Sequence, residues 1–161
     1  MRVVWMVLLS LFLMGSTVFA AADTGYGAKG AAQVSQPMLE QMLIFAIQDE
    51  YLALAQYNAT IDKFGKIRPF INIVRSEEQH IALLKPLFTD RGWDVPGDES
   101  AALVHIPATM AQALQIGKEA ELDNIAMHEH FLQQPDLPED VKAVFERLLA
   151  ASKRHLQAFR K

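Results

Sequence analysis

Glu50, Glu77, Glu121 and His155 stand one to a stretch in four separate helical patterns, each at an inward-facing position where an apolar residue would ordinarily sit. His80 follows Glu77 by three residues. Carboxylates and imidazoles are the side chains that hold hard and borderline metal ions. Burying a carboxylate costs several kcal/mol unless a cation or a hydrogen-bonded partner offsets it. A single such glutamate is often paired with a lysine or arginine, but three at one level, with no basic residue in that layer, point to a bound metal. The chain contains no cysteine, so the ligands are expected to be oxygen and nitrogen alone.

Spacing shows which elements must carry these residues. Leu43, Ile47, Glu50, Leu54, Tyr57, Ile61 and Phe64 recur at alternating steps of four and three, the period of one helix face, and Gly65 is placed to end that first helix. After a short connection with Pro69, a second stripe runs through Phe70, Ile73, Glu77, His80 or Ile81, Leu84 and Leu87, and Pro86 is expected to break it near its end. Residues 89–107 carry Gly92, Pro96, Gly97 and Pro107 with no helical period. A loop of about 20 residues is unusual in a compact domain unless it crosses over or does work. A third helix is expected from about Thr109 to Leu132, with Leu114, Gly117, Glu121, Ile125, His128 and Leu132 on one face. Asp136 is placed to cap a fourth helix and Pro138 to sit in its first turn, and that helix carries Val141, Phe145, Leu148, Ser152, His155 and Phe159.

Short turn, long crossover, short turn is the connectivity of an all-α four-helix bundle with one long connection, here between the second and third helices. Folding the first pair back at Gly65 puts Glu50 about 15 residues before the turn and His80 about 14 after it, so the two meet at one height. In the second pair, Glu121 and His155 match to within one or two helical turns. Glu77 and His80 share a helix face and can point at one centre.

Ahead of these helices, Arg2, an apolar run from Val3 to Met14 and small residues up to Ala22 have the layout of a signal peptide over residues 1–22, with cleavage expected after Ala20 or Ala22. An uncleaved anchor is the alternative, because the run approaches the ~20 residues that span a bilayer. Residues 23–36, rich in Gly, Ala and Ser, read as a flexible linker, and residues 37–161 as the folded domain. The expected location is therefore periplasmic or extracellular, with no membrane contact once the leader is removed. With 19 acidic residues against 15 basic ones, neither nucleic acid nor an anionic membrane fits as the main partner, and cations fit better.

At these residues the chain resembles the ferritin-like superfamily, whose di-iron members use a Glu from each of two helices and a Glu-x-x-His pair from each of the other two. Glu50 and Glu121 match the single glutamates, and Glu77-Glu78-Gln79-His80 matches one pair. More closely, the stretches around Gln48–Ala53, Ser76–His80 and Ser152–Phe159 are similar to a prokaryotic ferritin-like family of unknown function, over about Met38 to Phe159. The resemblance implies one or two iron ions, with manganese or zinc also suited, held by Glu50, Glu77, His80, Glu121 and His155. Glu77 or Glu121 would bridge, and chemistry of an oxidase or peroxidase type would follow. Ser152 stands where the second pair would begin with Glu, which leaves open a non-catalytic metal-binding or protein-interaction bundle; catalytic residues, substrate and homo-oligomeric state also stay open.

Tyr51 and Tyr57 are candidates to hydrogen-bond a ligand carboxylate, and Ser152 to donate to a bound water. His128 shares the Glu121 face two turns away and, like His130, reads as a structural or surface residue. Glu78, Glu119 and Glu146 fall off their stripes and are expected to face water, and Trp93 to cover one end of the helices.

Overall fold

The computed structural model describes residues 25–160. The expected leader over 1–22 lies outside the described residues. Among those described, the fold is all helical, with no strand: α1 (Gly27–Ala31), α2 (Leu39–Phe64), α3 (Phe70–Thr89), α4 (Met110–Phe131) and α5 (Glu139–Phe159), with a single 3₁₀ turn at Ser100–Ala102. No helix among them is long and apolar enough to cross a membrane.

The four long helices pack in a ring in which α2 touches α3 and α4, and α5 touches α3 and α4. Paired residues give the directions. Glu50 meets His80 and Tyr57 meets Phe70, so α2 and α3 run antiparallel. Glu121 meets His155 and His128 meets Phe145, so α4 and α5 do as well. Phe70 with Phe159, and Glu77 with His155, set α3 antiparallel to α5. It follows that α3 and α4 point the same way, so residues 90–109 must travel back along the length of the helices. Gln56 of α2 fastens this crossover: its amide Nε2 donates to the His105 carbonyl at 2.7 Å, and its Oε1 accepts from the His105 N–H at 2.9 Å.

Two apolar clusters fill the interior. One gathers Leu43, Ile47, Leu84, Phe88, Phe131, Phe145 and Leu148, and the other gathers Tyr57, Phe70, Ile73, Ala113 and Phe159. Each fully buried Phe or Leu contributes about 2 kcal/mol of transfer free energy. On every long helix the residues named from the first cluster lie on one side of the acidic or imidazole position and those named from the second on the other, although Tyr51 of the first cluster stands just past Glu50. A polar layer is thus sandwiched between two apolar ones. Trp93 packs against the first cluster, as expected of a residue covering that end.

Local expectations hold at several boundaries and fail at three. Gly65, at φ 90°, ends α2, and the Thr109 hydroxyl caps α4 by accepting from the Gln112 N–H at 3.2 Å. Pro86, however, does not break α3, which continues to Thr89. Pro86 and Ala82 are both exposed, so the Ala82 carbonyl that loses its helical donor can turn to water. Asp136 does not cap α5; it takes a left-handed φ of 58° in the preceding turn, and α5 begins after Pro138. The linker expected over residues 23–36 is, from residue 25 on, folded against the helices, with α1 packed on α2 and α4. Its hold comes from α2: the Gly27 N–H donates to Gln48 Oε1 at 3.2 Å and the Ala28 N–H to Asp49 Oδ1 at 2.9 Å. Gly27 has φ 58°, and a Cβ there would stand 2.7 Å from the Asp49 carboxylate, so the helix and the anchoring side chain fit only because this residue is glycine.

Candidate metal centre

The five sequence-predicted residues converge. Glu50, Glu77, His80 and Glu121 are 1, 2, 5 and 3 % exposed, and the His155 ring is largely buried with them. They form two groups, Glu50–Glu77–His80 and Glu77–Glu121–His155, in each of which three ligand atoms lie within 4.8 Å of one another. Glu77 belongs to both. Its Oε2 is 2.7 Å from His80 Nδ1 and its Oε1 is 3.2 Å from His155 Nδ1. His80 Nδ1 also lies 3.1 Å from Glu50 Oε2, and His155 Nδ1 lies 3.4 Å from Glu121 Oε1. The two imidazoles stack at 5.8 Å.

Helix geometry accounts for this convergence. Glu77 and His80, three apart, project from one face of α3 between α2 and α5, while Glu50 on α2 and Glu121 with His155 on α4 and α5 close the ring. The outer side of His80 is held too, because its Nε2 is 3.1 Å from Ser76 Oγ. That contact fixes the ring with Nδ1 facing the carboxylates, the usual way a metal-binding imidazole is oriented. Tyr57, one of the two tyrosine candidates, donates to Glu121 Oε1 at 2.8 Å from the second apolar cluster. Tyr51 does not; its hydroxyl reaches the Pro96 carbonyl at 3.4 Å.

Charge is out of balance in this layer. Burial pushes the Glu50 carboxyl well above its usual range, and the nearby Glu77 charge pushes it further. Burial likewise raises Glu121. Burial would raise Glu77 as well, but the close approach of His155 and His80 outweighs it and holds that carboxyl down at about 2. For the imidazoles, burial works to lower both, yet Glu50 and Glu77 lift His80 to about 10, and Glu121 and Glu77 lift His155 to about 9. Three carboxylates thus draw protons onto two rings, as expected where positive charge is wanted and no lysine or arginine supplies it.

Whether a metal ion suits these residues can be judged from the atoms without partners. Among the described residues, the buried Glu50 Oε1 has no hydrogen-bond partner, and His155 Nδ1 faces its two carboxylates without hydrogen-bond geometry. Buried polar atoms are rarely left so; of the five such atoms among the described residues, these two belong to the converging set and the other three to Tyr26 and His128. Oxygen and imidazole nitrogen are ligands for iron, manganese and zinc. The donor set fits.

Ser152 does something other than expected. Its hydroxyl donates to Asn124 Oδ1 at 2.7 Å, with the Leu148 carbonyl at 3.1 Å as a second acceptor. Asn124 in turn donates from Nδ2 to Asp49 Oδ2 at 2.7 Å. Ser152, Asn124 and Asp49 therefore form a relay from α5 through α4 to α2, ending on the carboxylate that anchors α1. Sequence reasoning missed Asn124, Asp49 and Ser76. The signal for Asn124 was available, since it follows Glu121 by three residues and is a polar side chain on the inward face. His128 is buried as a structural residue, His130 binds the Val34 carbonyl at 3.2 Å, and Glu78, Glu119 and Glu146 are exposed, as expected.

A cavity of about 250 Å³ opens beside this layer between α1, α2, α4 and the crossover, and Glu50, Glu77 and Glu121 form its floor. No family model matches the chain, and no curated protein does. Among solved structures it is similar to a hypothetical protein from Methanococcus jannaschii DSM 2661, at 28 % identity over 78 % of this chain and 81 % of that one, with a TM-score of 0.66. That neighbour shares the arrangement of helices and, being itself uncharacterised, lends no activity.

Proposed function

We propose that this protein is a ferritin-like four-helix bundle, with residues 90–109 as its long crossover, that binds one or two transition-metal ions, iron foremost, between its four long helices. The observation that carries this is the pair of buried triads that share Glu77. The shared carboxylate offers one oxygen to each triad, the arrangement of a bridging ligand, with His80 and His155 on opposite sides of it. Closed ring packing and parallel α3 and α4 support the bundle. The leader-like run at residues 1–22 supports export to the periplasm or beyond.

A bound iron pair would supply redox chemistry toward dioxygen or peroxide, of an oxidase or peroxidase kind. The chain's own part is to hold the carboxylates between two apolar layers, to fix His80 through Ser76, and to lean the Tyr57 hydroxyl on Glu121. Metal binding would also displace protons from His80 and His155, because the imidazole nitrogens that face the carboxylates are the ones needed as ligands.

Elemental analysis of the full chain, expressed with iron, tests the reading beside a Glu77→Ala, His80→Ala double variant. One or two equivalents in the parent and none in the folded variant are expected. A folded parent without metal would overturn it. One observation favours a second possibility: position 152 holds a serine engaged with Asn124, so the site as a whole has no fourth carboxylate and tight binding without turnover is a coherent alternative. Oxygen consumption after addition of Fe(II) separates the two, since a binding protein would consume no more than buffer does.

A further inference from the structure

A buried metal site needs a way in, and most of this one is closed. The Tyr57, Phe70 and Phe159 rings pack at 5.3 to 5.8 Å on one side of the layer, and Phe131 and Phe145 at 5.4 Å on the other. The cavity between α2 and α4 is different. Its floor is formed by Glu50, Glu77 and Glu121, and its lining reaches the exposed Glu119, Asp123 and His105. A single space therefore runs from solvent to the carboxylates, and the floor includes Glu50, whose Oε1 has no partner among the described residues. Counting Asp49, six carboxylates line it against one cation, Lys29. Leu52, Ala53, Ile116 and Ala120 supply apolar walls, and charges of one sign between low-dielectric walls focus the field along such a cleft. Its size suits a hydrated ion, because six waters occupy ~180 Å³ at ~30 Å³ each.

We infer that this cavity is the route by which hydrated divalent cations enter and leave the buried site, with Glu119 and Asp123 drawing them to its mouth. The inference rests on the metal-binding reading above and adds the path and the two mouth carboxylates to it. The rim is made of α1 and the crossover, each fastened to α2 by side-chain hydrogen bonds, through Asp49 and Gln56. Two segments with no apolar stripe of their own thereby acquire a role as walls of the entrance.

The probe is Co(II), with uptake by the full chain followed through its d–d absorption in stopped flow. Two variants leave every proposed ligand in place. Ala120→Trp fills the cavity, and the double variant Glu119→Lys, Asp123→Lys reverses charge at exposed positions. Ala120→Trp is expected to reach the parent's final Co(II) content but more than about tenfold more slowly, because loading then waits on an opening motion. The charge variant should load about tenfold more slowly at low salt, and the gap should close at high salt. A parent that binds Co(II), with both variants loading at its rate, would overturn the route while leaving the site intact. A folded parent that takes up no Co(II) would instead overturn the site, and the route with it. If circular dichroism shows Ala120→Trp unfolded, the charge variant decides alone: parent-like loading at low salt sinks the inference.

Discussion

Two buried polar regions lie two turns apart on α4, roughly 10 Å along its axis, and they differ in company. Around Glu121, five ionisable side chains from all four long helices face one another. The His128 imidazole packs against both the Phe131 and Phe145 rings, fully buried, and neither of its ring nitrogens has a hydrogen-bond partner among the described residues. Burial pushes the pKa of His128 down to about 3, whereas the carboxylates around His80 and His155 lift theirs to about 10 and 9. Burial of a polar group thus does not mark a site by itself. Convergence does, because only there does each group alter what the others can bind.

The largest effect expected from breaking this contrast is at Glu77, the residue common to both triads. Glu77→Gln should strip all bound metal, while His155→Ala should spare whatever the Glu50–Glu77–His80 triad holds; metal content of the two purified variants checks it. Next comes His128→Leu, which turns the solitary region fully apolar. In the unfolded chain a histidine takes its proton below pH 6.5 or so, but in the fold this one stays neutral down to about 3. Between those values the unfolded state binds the extra proton, so the parent loses stability on acidification by about 1.4 kcal/mol per pH unit from this residue, and the variant does not. Above pH 6.5 the variant should be more stable by about 1 to 2 kcal/mol, since two unpaired buried nitrogens are gone. Urea titrations across pH 4 to 8 would reveal both effects, and parallel curves for parent and variant would refute the contrast.

A smaller change sharpens it from the side. A Cβ on Gly117 would stand 2.5 Å from the Phe159 ring, which packs on Tyr57 at 5.6 Å. Gly117→Ala should therefore destabilise by about 1 to 3 kcal/mol and, by shifting Tyr57, weaken its hold on Glu121; denaturation and metal affinity together report this. Smallest is Ser152→Ala, which leaves Asn124 Oδ1 without its donor. It should cost about 1 kcal/mol with metal content unchanged, and lost metal would mean that Ser152 belongs to the site after all.

The apolar stripes made the long helices legible, and the same stripes exposed Glu50, Glu77, Glu121 and His155 as interruptions at one level. That levelling survives because an antiparallel pair keeps the sum of facing residue numbers constant, whatever the packing details. The failures have a different origin. The sequence of α1, Gly-Ala-Lys-Gly-Ala, has no period to detect, and its position depends on Gln48 and Asp49 from another helix. Pro86 reads as a break only if its helix face is taken to be buried. Asp136 has the composition of a cap and the backbone of a turn. For α1 the deciding partner lies outside the local window, whereas Pro86 and Asp136 were decided by exposure and by backbone conformation.

Gln56 has a consequence of this kind for the crossover. Its side-chain amide pairs with both the backbone N–H and the backbone C=O of position 105, and neither bond involves the side chain there. Any residue except proline, which lacks the N–H, can present the same two atoms. The crossover is therefore free to drift in sequence, and to gain or lose residues on either side of this point, while the wall it builds stays where it is. Its location is encoded in α2, a helix that cannot drift without losing Glu50.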